Sequence, residues 1–344
     1  INTKREKRNM PQIARGTVFI GEPGSCCQSN AFPSICVLPG GRWLCSFRCA
    51  PTKDATAGQH VALCWSDDQG VTWNKPWVPF SATTVDGNLG LFRSMQMTSF
   101  GQDRVVAALC WVVHTDPSLP FFNTQTEGLL DTKIFLTESG DAGETWSEPR
   151  LVQGFPYADK PTPITGPPLV LSNGTIVIQF EVNKPYYEIT PWEHSSVLIY
   201  SSDGGRTWDR TDVVSHDPAN KIFYWDQRPS VLSDGRILDL FWTYDNVNAT
   251  YLPIHSRIQN TPLGDWGPLV ETSVPGQPAP AVDFGNGRIA MVYMDRSAVP
   301  ALKLCISNDG GTTWSTAGET VLYRHDSTGS QTRIKGSMDD ASAE

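Results

Sequence analysis

Apolar residues along this chain come in short runs, each broken by a tight polar turn. A proline opens a run, a glycine-containing turn follows, and a second apolar run answers it. Pro33 through Gly40-Gly41 to Leu44 is one such unit. Pro168 through Asn173-Gly174 to Ile178, Pro229 through Asp234-Gly235 to Leu240, and Pro280 through Asn286-Gly287 to Val292 are three more. A weaker one runs from Arg93 through Gly101 to Ala108. Asn-Gly and Asp-Gly between apolar runs signal tight hairpins. No segment sustains a helical period, so strands are predicted throughout.

A second repeat follows the hairpins. The octamer Ser-x-Asp-x-Gly-x-Thr-Trp occurs at 66–73, 139–146, 201–208 and 307–314, every fixed position kept in each copy. Its chemistry is that of a turn. Asp accepts backbone N–H groups, Gly supplies positive φ, and Trp offers a large ring for packing. These aspartates are therefore read as structural. The interval between the third and fourth copies leaves room for an eroded one, and Leu263-Gly264-Asp265-Trp266 fits it. Each unit reads strand, hairpin, strand, loop, strand, octamer, outer strand. In the first unit these fall at about 32–38, 43–48, 60–66 and 75–80.

Four antiparallel strands repeated in this way predict an all-β fold, a β-propeller. A single domain is expected over 1–344, with 1–12 as an N-terminal arm. Five hairpin units are present. The stretch Gly16-Thr17-Val18-Phe19-Ile20 is expected to close a sixth blade with the C-terminal part; six blades are favoured, with five as the alternative.

Composition narrows the function. A formal charge of −9 argues against nucleic-acid binding. No run of about 18 apolar residues exists to form a membrane-spanning helix. The glycines lie in hairpins and octamers, outside any strand–GxGxxG–helix context, so no nucleotide cofactor is expected. Of the eight cysteines, Cys36, Cys45, Cys64, Cys110 and Cys305 sit in strand-like runs and are expected as buried free thiols. That leans toward a reducing, cytoplasmic compartment, with secretion still open. Cys45 and Cys49 have no second Cys/His pair nearby in sequence, and the six histidines are scattered, so no metal is expected.

The octamers are identified as the Asp-box, or BNR, motifs of the sialidase superfamily, and the hairpin–Asp-box order resembles that family over about residues 31–325. The resemblance implies a propeller with its site on the central axis, opposite the Asp-boxes. It implies three arginines for a substrate carboxylate, an Asp acid/base, and a Tyr nucleophile assisted by Glu. The family's first arginine precedes an Ile-Pro pair; here that place reads Ala31-Phe32-Pro33. Arg48 closes the second strand, and Asp54 follows it as the acid/base. The family's Glu is matched in place by the Asp of Trp225-Asp226-Gln227-Arg228-Pro229.

The propeller geometry supplies candidates of its own. Polar residues at the mouths of the first strands, or after the second strands, face the axis. The catalytic candidates are Asp54, Asp226, Glu181 and Tyr244. The substrate-binding candidates are Arg48, Arg93, Arg228, Arg296, Gln277 and His114. Asp116, Asp245 and Asp295 belong to the same loops, and Trp225, Trp242 and Tyr244 offer faces for stacking on a sugar. Arginines suit an anionic or polyhydroxylated ligand, and carboxylates can divide acid and base work. The expected function is exo-acting glycoside hydrolysis of a carbohydrate, with the sugar, sialic acid included, left open. The alternatives are a non-catalytic carbohydrate- or protein-binding propeller, and a polysaccharide lyase with His114 or Tyr244 as base.

Overall fold

A computed structural model describes residues 15–296 and 300–324. Every regular element in them is a strand, and the main sheets are antiparallel with strands in chain order. The first blade holds Ser29–Val37, Trp43–Ala50 and His60–Ser66. The second runs from Thr83–Val85 through Asn88–Ser99, Val105–Val113 and Thr132–Ser139 to Arg150–Leu151. The third contains Leu169–Val170, Ile176–Val182, Ser195–Ser201 and Arg210–His216. The fourth is built on Ile237–Asp245, and the fifth on Ile289–Asp295, Ala301–Ser307 and Ser315–Arg324. The chain is an all-β propeller.

Successive side chains of a strand point to opposite faces, and in a propeller both faces meet a neighbour. Along Ile176–Val182, Ile178 and Phe180 pack with Val106 and Leu136 of the second blade. Val177, on the opposite face, packs with Ile237 and Phe241 of the fourth. Burial on both faces explains why the second strands read as unbroken apolar runs rather than alternating ones. Leu44, Met95, Leu109 and Trp111 fill the space between the first two blades. Leu238, Leu240, Met291 and Tyr293 fill that between the last two.

Of the two blade counts expected, the described residues show the alternative, five, and Gly16–Ile20 is not a strand. Its apolar side chains serve another purpose. Val18 and Phe19 pack on Cys45, Phe47 and Cys64, the outer face of the first blade, with the Phe19 and Phe47 rings stacked at 5.5 Å. Arg15 donates to the Leu322 carbonyl of the fifth blade at 2.9 Å. The C-terminal partner expected for this stretch lies outside the described residues. The predicted outer strand at 75–80 shrinks to one bridge, Leu63 to Trp77. Pro76 and Pro79 flank that bridge and have no N–H for a ladder.

All four Asp-boxes close in the same way. The Ser hydroxyl donates to Asp Oδ1 at 2.7–2.8 Å and accepts the second Gly-side N–H at 2.8–2.9 Å. The Thr amide donates to the same Oδ1, and its hydroxyl donates to Oδ2. These bonds hold the Asp68 carboxyl down at about 2, and those of Asp141, Asp203 and Asp309 also below the ordinary range. The box glycine is needed twice over. Gly143 and Gly205 have φ of 85° and 77°. A Cβ there would lie 2.7 Å from Leu44 and 2.4 Å from Leu136, each in the preceding blade.

Arginines tie the boxes to their neighbours. Arg42 of the first blade reaches the Ala142 carbonyl and Glu144 in the second box. Arg150 donates to the Gly204 and Gly205 carbonyls of the third. Arg210 donates to the Leu263 and Gly264 carbonyls, the eroded turn of the fourth blade.

Candidate active site

At the other end, the first strands break register where they reach the axis. In the first blade Ala31 pairs with Arg48 and Ser34 with Ser46, so one residue is extra. In the second blade the break falls between Phe92 and Ser94, leaving Arg93 unpaired in the ladder. In the fourth, residues 226–229 face 239–241 between Trp225–Trp242 and Ser230–Leu238. Bulges re-aim side chains and often border active sites. Phe32 and Asp226, both in these breaks, take φ of 54° and 47°, a costly conformation for such residues.

Two groups result. In the first, the fully buried Arg48 donates through Nε to Gln59 Oε1 at 2.9 Å, and to the Lys53 and Ala55 carbonyls. Arg93 reaches the same Gln59 oxygen at 3.1 Å. Its guanidinium lies between the Phe32 and Phe121 rings, at 4.9 and 4.1 Å. Phe32, next to the Ala31 that stands in the place of the absent arginine, thus becomes a wall for Arg93. Asp54 is exposed on the loop that carries these carbonyls.

The second group joins three blades. The Asp226 amide donates to Glu181 Oε1. Asp226 Oδ2 accepts from Gln277 Nε2 at 2.6 Å, and Gln277 Oε1 accepts from Arg296 at 2.7 Å. Arg228 caps the Asp226 and Gln227 carbonyls. Burial raises the Asp226 carboxyl. Arg228 opposes the shift, and the Glu181 charge adds to it. His194, 2% exposed, places Nε2 3.5 Å from Glu181 Oε2. Trp192 lies edge-on to His194. Trp225 stacks on Tyr244 at 4.8 Å, and Trp242 on Tyr251 at 4.7 Å, with Arg296 5.5 Å from the Trp242 ring.

The sequence-predicted residues therefore divide. Glu181, Asp226, Arg228, Gln277 and Arg296 come together, with Tyr244 in the adjoining aromatic stack, only 2% exposed. Arg48 and Arg93 come together in the other group. His114 is half-buried; its amide bonds to the Leu89 carbonyl, and its Nδ1 is buried without a partner. Three loop carboxylates have local partners. Asp116 binds Ser118, Asp245 binds Asn248, and Asp295 pairs with Lys303 at 2.8 Å.

Gln59, His194 and Asp239 were not foreseen. Gln59 and His194 each precede a third strand, and Arg48 and Glu181 occupy the same position after their hairpin glycines. Arg48–Gln59 and Glu181–His194 are thus one structural pair filled with different chemistry. Aligning the blades on Gly41 and Gly174 would have exposed it. Asp239 is fully buried in Ile237–Asp245, and burial pushes its carboxyl well above the usual range. In sequence it looks like an ordinary break in an apolar run.

The fold has solved counterparts. A protein of unknown function from Dyadobacter fermentans superposes with a TM-score of 0.69 at 18% identity, covering 86% of this chain and 83% of that one. The NanB sialidase of Streptococcus pneumoniae gives 0.59 at 14% identity, over 85% of this chain and 60% of its own. The chain thus spans less than two thirds of that sialidase. An α-L-arabinanase from Penicillium chrysogenum, complexed with arabinobiose, gives 0.53 at 18% identity, over 83% and 80%. No curated protein sequence matches. A family model described as BNR repeat-like domain matches residues 109–322, from the middle of the second blade to the end of the fifth. With that match over more than half its length, the chain belongs to the BNR repeat-like domain family.

Proposed function

We propose that the chain is a glycoside hydrolase that cleaves a terminal sugar at the Glu181–Asp226–Arg296 group. The observation that carries this reading is the half-buried Asp226 carboxyl, bonded to Gln277 and raised by desolvation and by the Glu181 charge beside it. A carboxyl whose proton affinity is raised in this way is suited to donate to a leaving glycosidic oxygen. The family resemblance assigns the acid role to Asp54. The geometry favours Asp226, because Asp54 lies exposed on its loop. Asp54 is left as the second carboxylate, and the Glu181 charge adds to the proton affinity that desolvation gives Asp226. Arg296 and Arg228 supply positive charge for carboxylate or hydroxyl groups, and Trp225 and Trp242 supply apolar faces. The sialidase and arabinanase folds, the latter solved with arabinobiose, support a carbohydrate substrate.

Ala31 in place of the family's first arginine favours one second reading, a propeller that binds carbohydrate without cleaving it. Fluorogenic glycosides, α-sialoside and α-L-arabinofuranoside among them, separate the two when tested on wild type, Asp226→Asn and Asp54→Asn. Turnover lost in Asp226→Asn and only reduced in Asp54→Asn is the expected result. Turnover unaffected by Asp226→Asn would remove the acid role. Carbohydrate binding without any turnover would establish the second reading.

A further inference from the structure

Outside the site, one cluster of ligating atoms has no role so far. Cys26 and Cys27 lie in a turn of the N-terminal segment, and His60 opens the third strand of the first blade. The Cys26 and Cys27 sulfurs are 3.8 Å apart, and Cys27 Sγ is 3.6 Å from His60 Nε2. All three ligand atoms lie within 4.8 Å of one another. Zinc bonds of about 2.3 Å to sulfur and about 2.0–2.1 Å to nitrogen give tetrahedral edges of about 3.8 Å and about 3.6 Å. The two measured separations match these edges.

The surroundings are built for the arrangement. His60 Nδ1 is 3.0 Å from the Gly58 carbonyl, and donation there leaves Nε2 as a lone pair facing Cys27. A backbone carbonyl on the far nitrogen is the usual way to orient a ligating imidazole. The Cys27 amide donates to Ser25 Oγ at 3.2 Å, and the Gly24 amide to Gln28 Oε1 at 2.6 Å, which fixes the turn. A Cβ on Gly21 would lie 1.7 Å from the Cys27 carbonyl oxygen, so only glycine lets the turn fold back this far. A third sulfur, Cys49, touches the Cys27 side chain. Cys26 is exposed and leaves a path for an ion.

We propose that Cys26, Cys27 and His60 bind a zinc-class thiophilic ion, with water in the fourth position. The ion would staple the N-terminal segment to the first blade. Its second consequence follows from chain order: His60 is bonded to Gln59, the residue that holds Arg48 and Arg93.

The test is titration of the reduced protein with Co²⁺, followed by Zn²⁺. One Co²⁺ per chain with thiolate-to-cobalt absorption in the near ultraviolet, displaced by Zn²⁺, is expected. Cys27→Ser and His60→Gln should each weaken binding at least tenfold, whereas Cys36→Ser, in the core, should leave it unchanged. Zn²⁺ should raise the melting temperature of wild type but not of His60→Gln. Absence of thiolate absorption in wild type overturns the proposal, as does a signal that persists in both ligand variants. A Cys26–Cys27 disulfide that survives reductant, read by mass, overturns it too.

Discussion

The two ends of this propeller are built on opposite plans. At the Asp-box end four octamers repeat the same hydrogen bonds to within a few tenths of an ångström. At the opposite end one backbone position carries different side chains from blade to blade. The position held by Arg48 in the first blade is Glu181 in the third, and Trp242 in the fourth. Repetition marks what every blade needs, a closed turn and a seat for its neighbour. Divergence on a common backbone marks what only the whole ring needs.

The strongest way to break this comparison is to remove one carboxylate from each end. Asp226→Asn should lower kcat by roughly 10²–10⁴-fold, the usual worth of a general acid, with little change in melting temperature. Next in size is Gln59→Leu, which leaves the guanidinium groups of Arg48 and Arg93 without their shared acceptor. A loss of about tenfold in kcat/KM is expected, within the range for a lost hydrogen bond to a charged group. Asp141→Ala should act in reverse. It lowers the melting temperature by roughly 5 °C and leaves kcat per folded molecule intact. An Asp-box variant that abolished turnover while still folded would dissolve the distinction between the ends.

Two smaller effects sharpen it through pH. Activity that needs protonated Asp226 is lost as pH rises through its raised value. Glu181 contributes to that rise, so Glu181→Gln should move the alkaline limb of the kcat/KM profile to lower pH. A limb that moved upward or stayed would remove the coupling. Asp239 reports on stability instead. Its folded value lies above the unfolded one, so the native state binds the extra proton. Stability therefore falls as pH rises from the unfolded value through the folded one. Asp239→Asn should flatten that decline in urea titrations; an equally steep decline would assign it to other groups.

Much of the architecture was legible because its physics is local. Asn173-Gly174 and Asp234-Gly235 announce hairpins, and Ser201-Asp203-Gly205-Thr207-Trp208 announces its own turn. The prolines opening each hairpin were read as strand starts. Pro33 and Pro229 lie at the register breaks, where no ladder N–H is required. The site was legible in part. Glu181, Asp226, Arg228, Gln277 and Arg296, which the structure brings together, share a place in the repeat that makes them candidates. Gln59 and His194 were not candidates, because an uncharged or singly occurring side chain before a strand carries no pattern. The fate of Gly16–Ile20 was hidden for a different reason. Its alternation suits a strand, yet what decided it was the Cys- and Phe-lined face of the first blade, a surface assembled from distant residues.

The row of arginines at the Asp-box end has a direction. Arg42, Arg150 and Arg210 each belong to the blade made earlier, and each grips a turn made later. During synthesis the donor is therefore already waiting when its acceptor emerges from the ribosome. A finished blade presents its guanidinium outward and receives the next turn as soon as that turn closes. Assembly can then proceed blade by blade, from the N-terminal side, without the ring being complete.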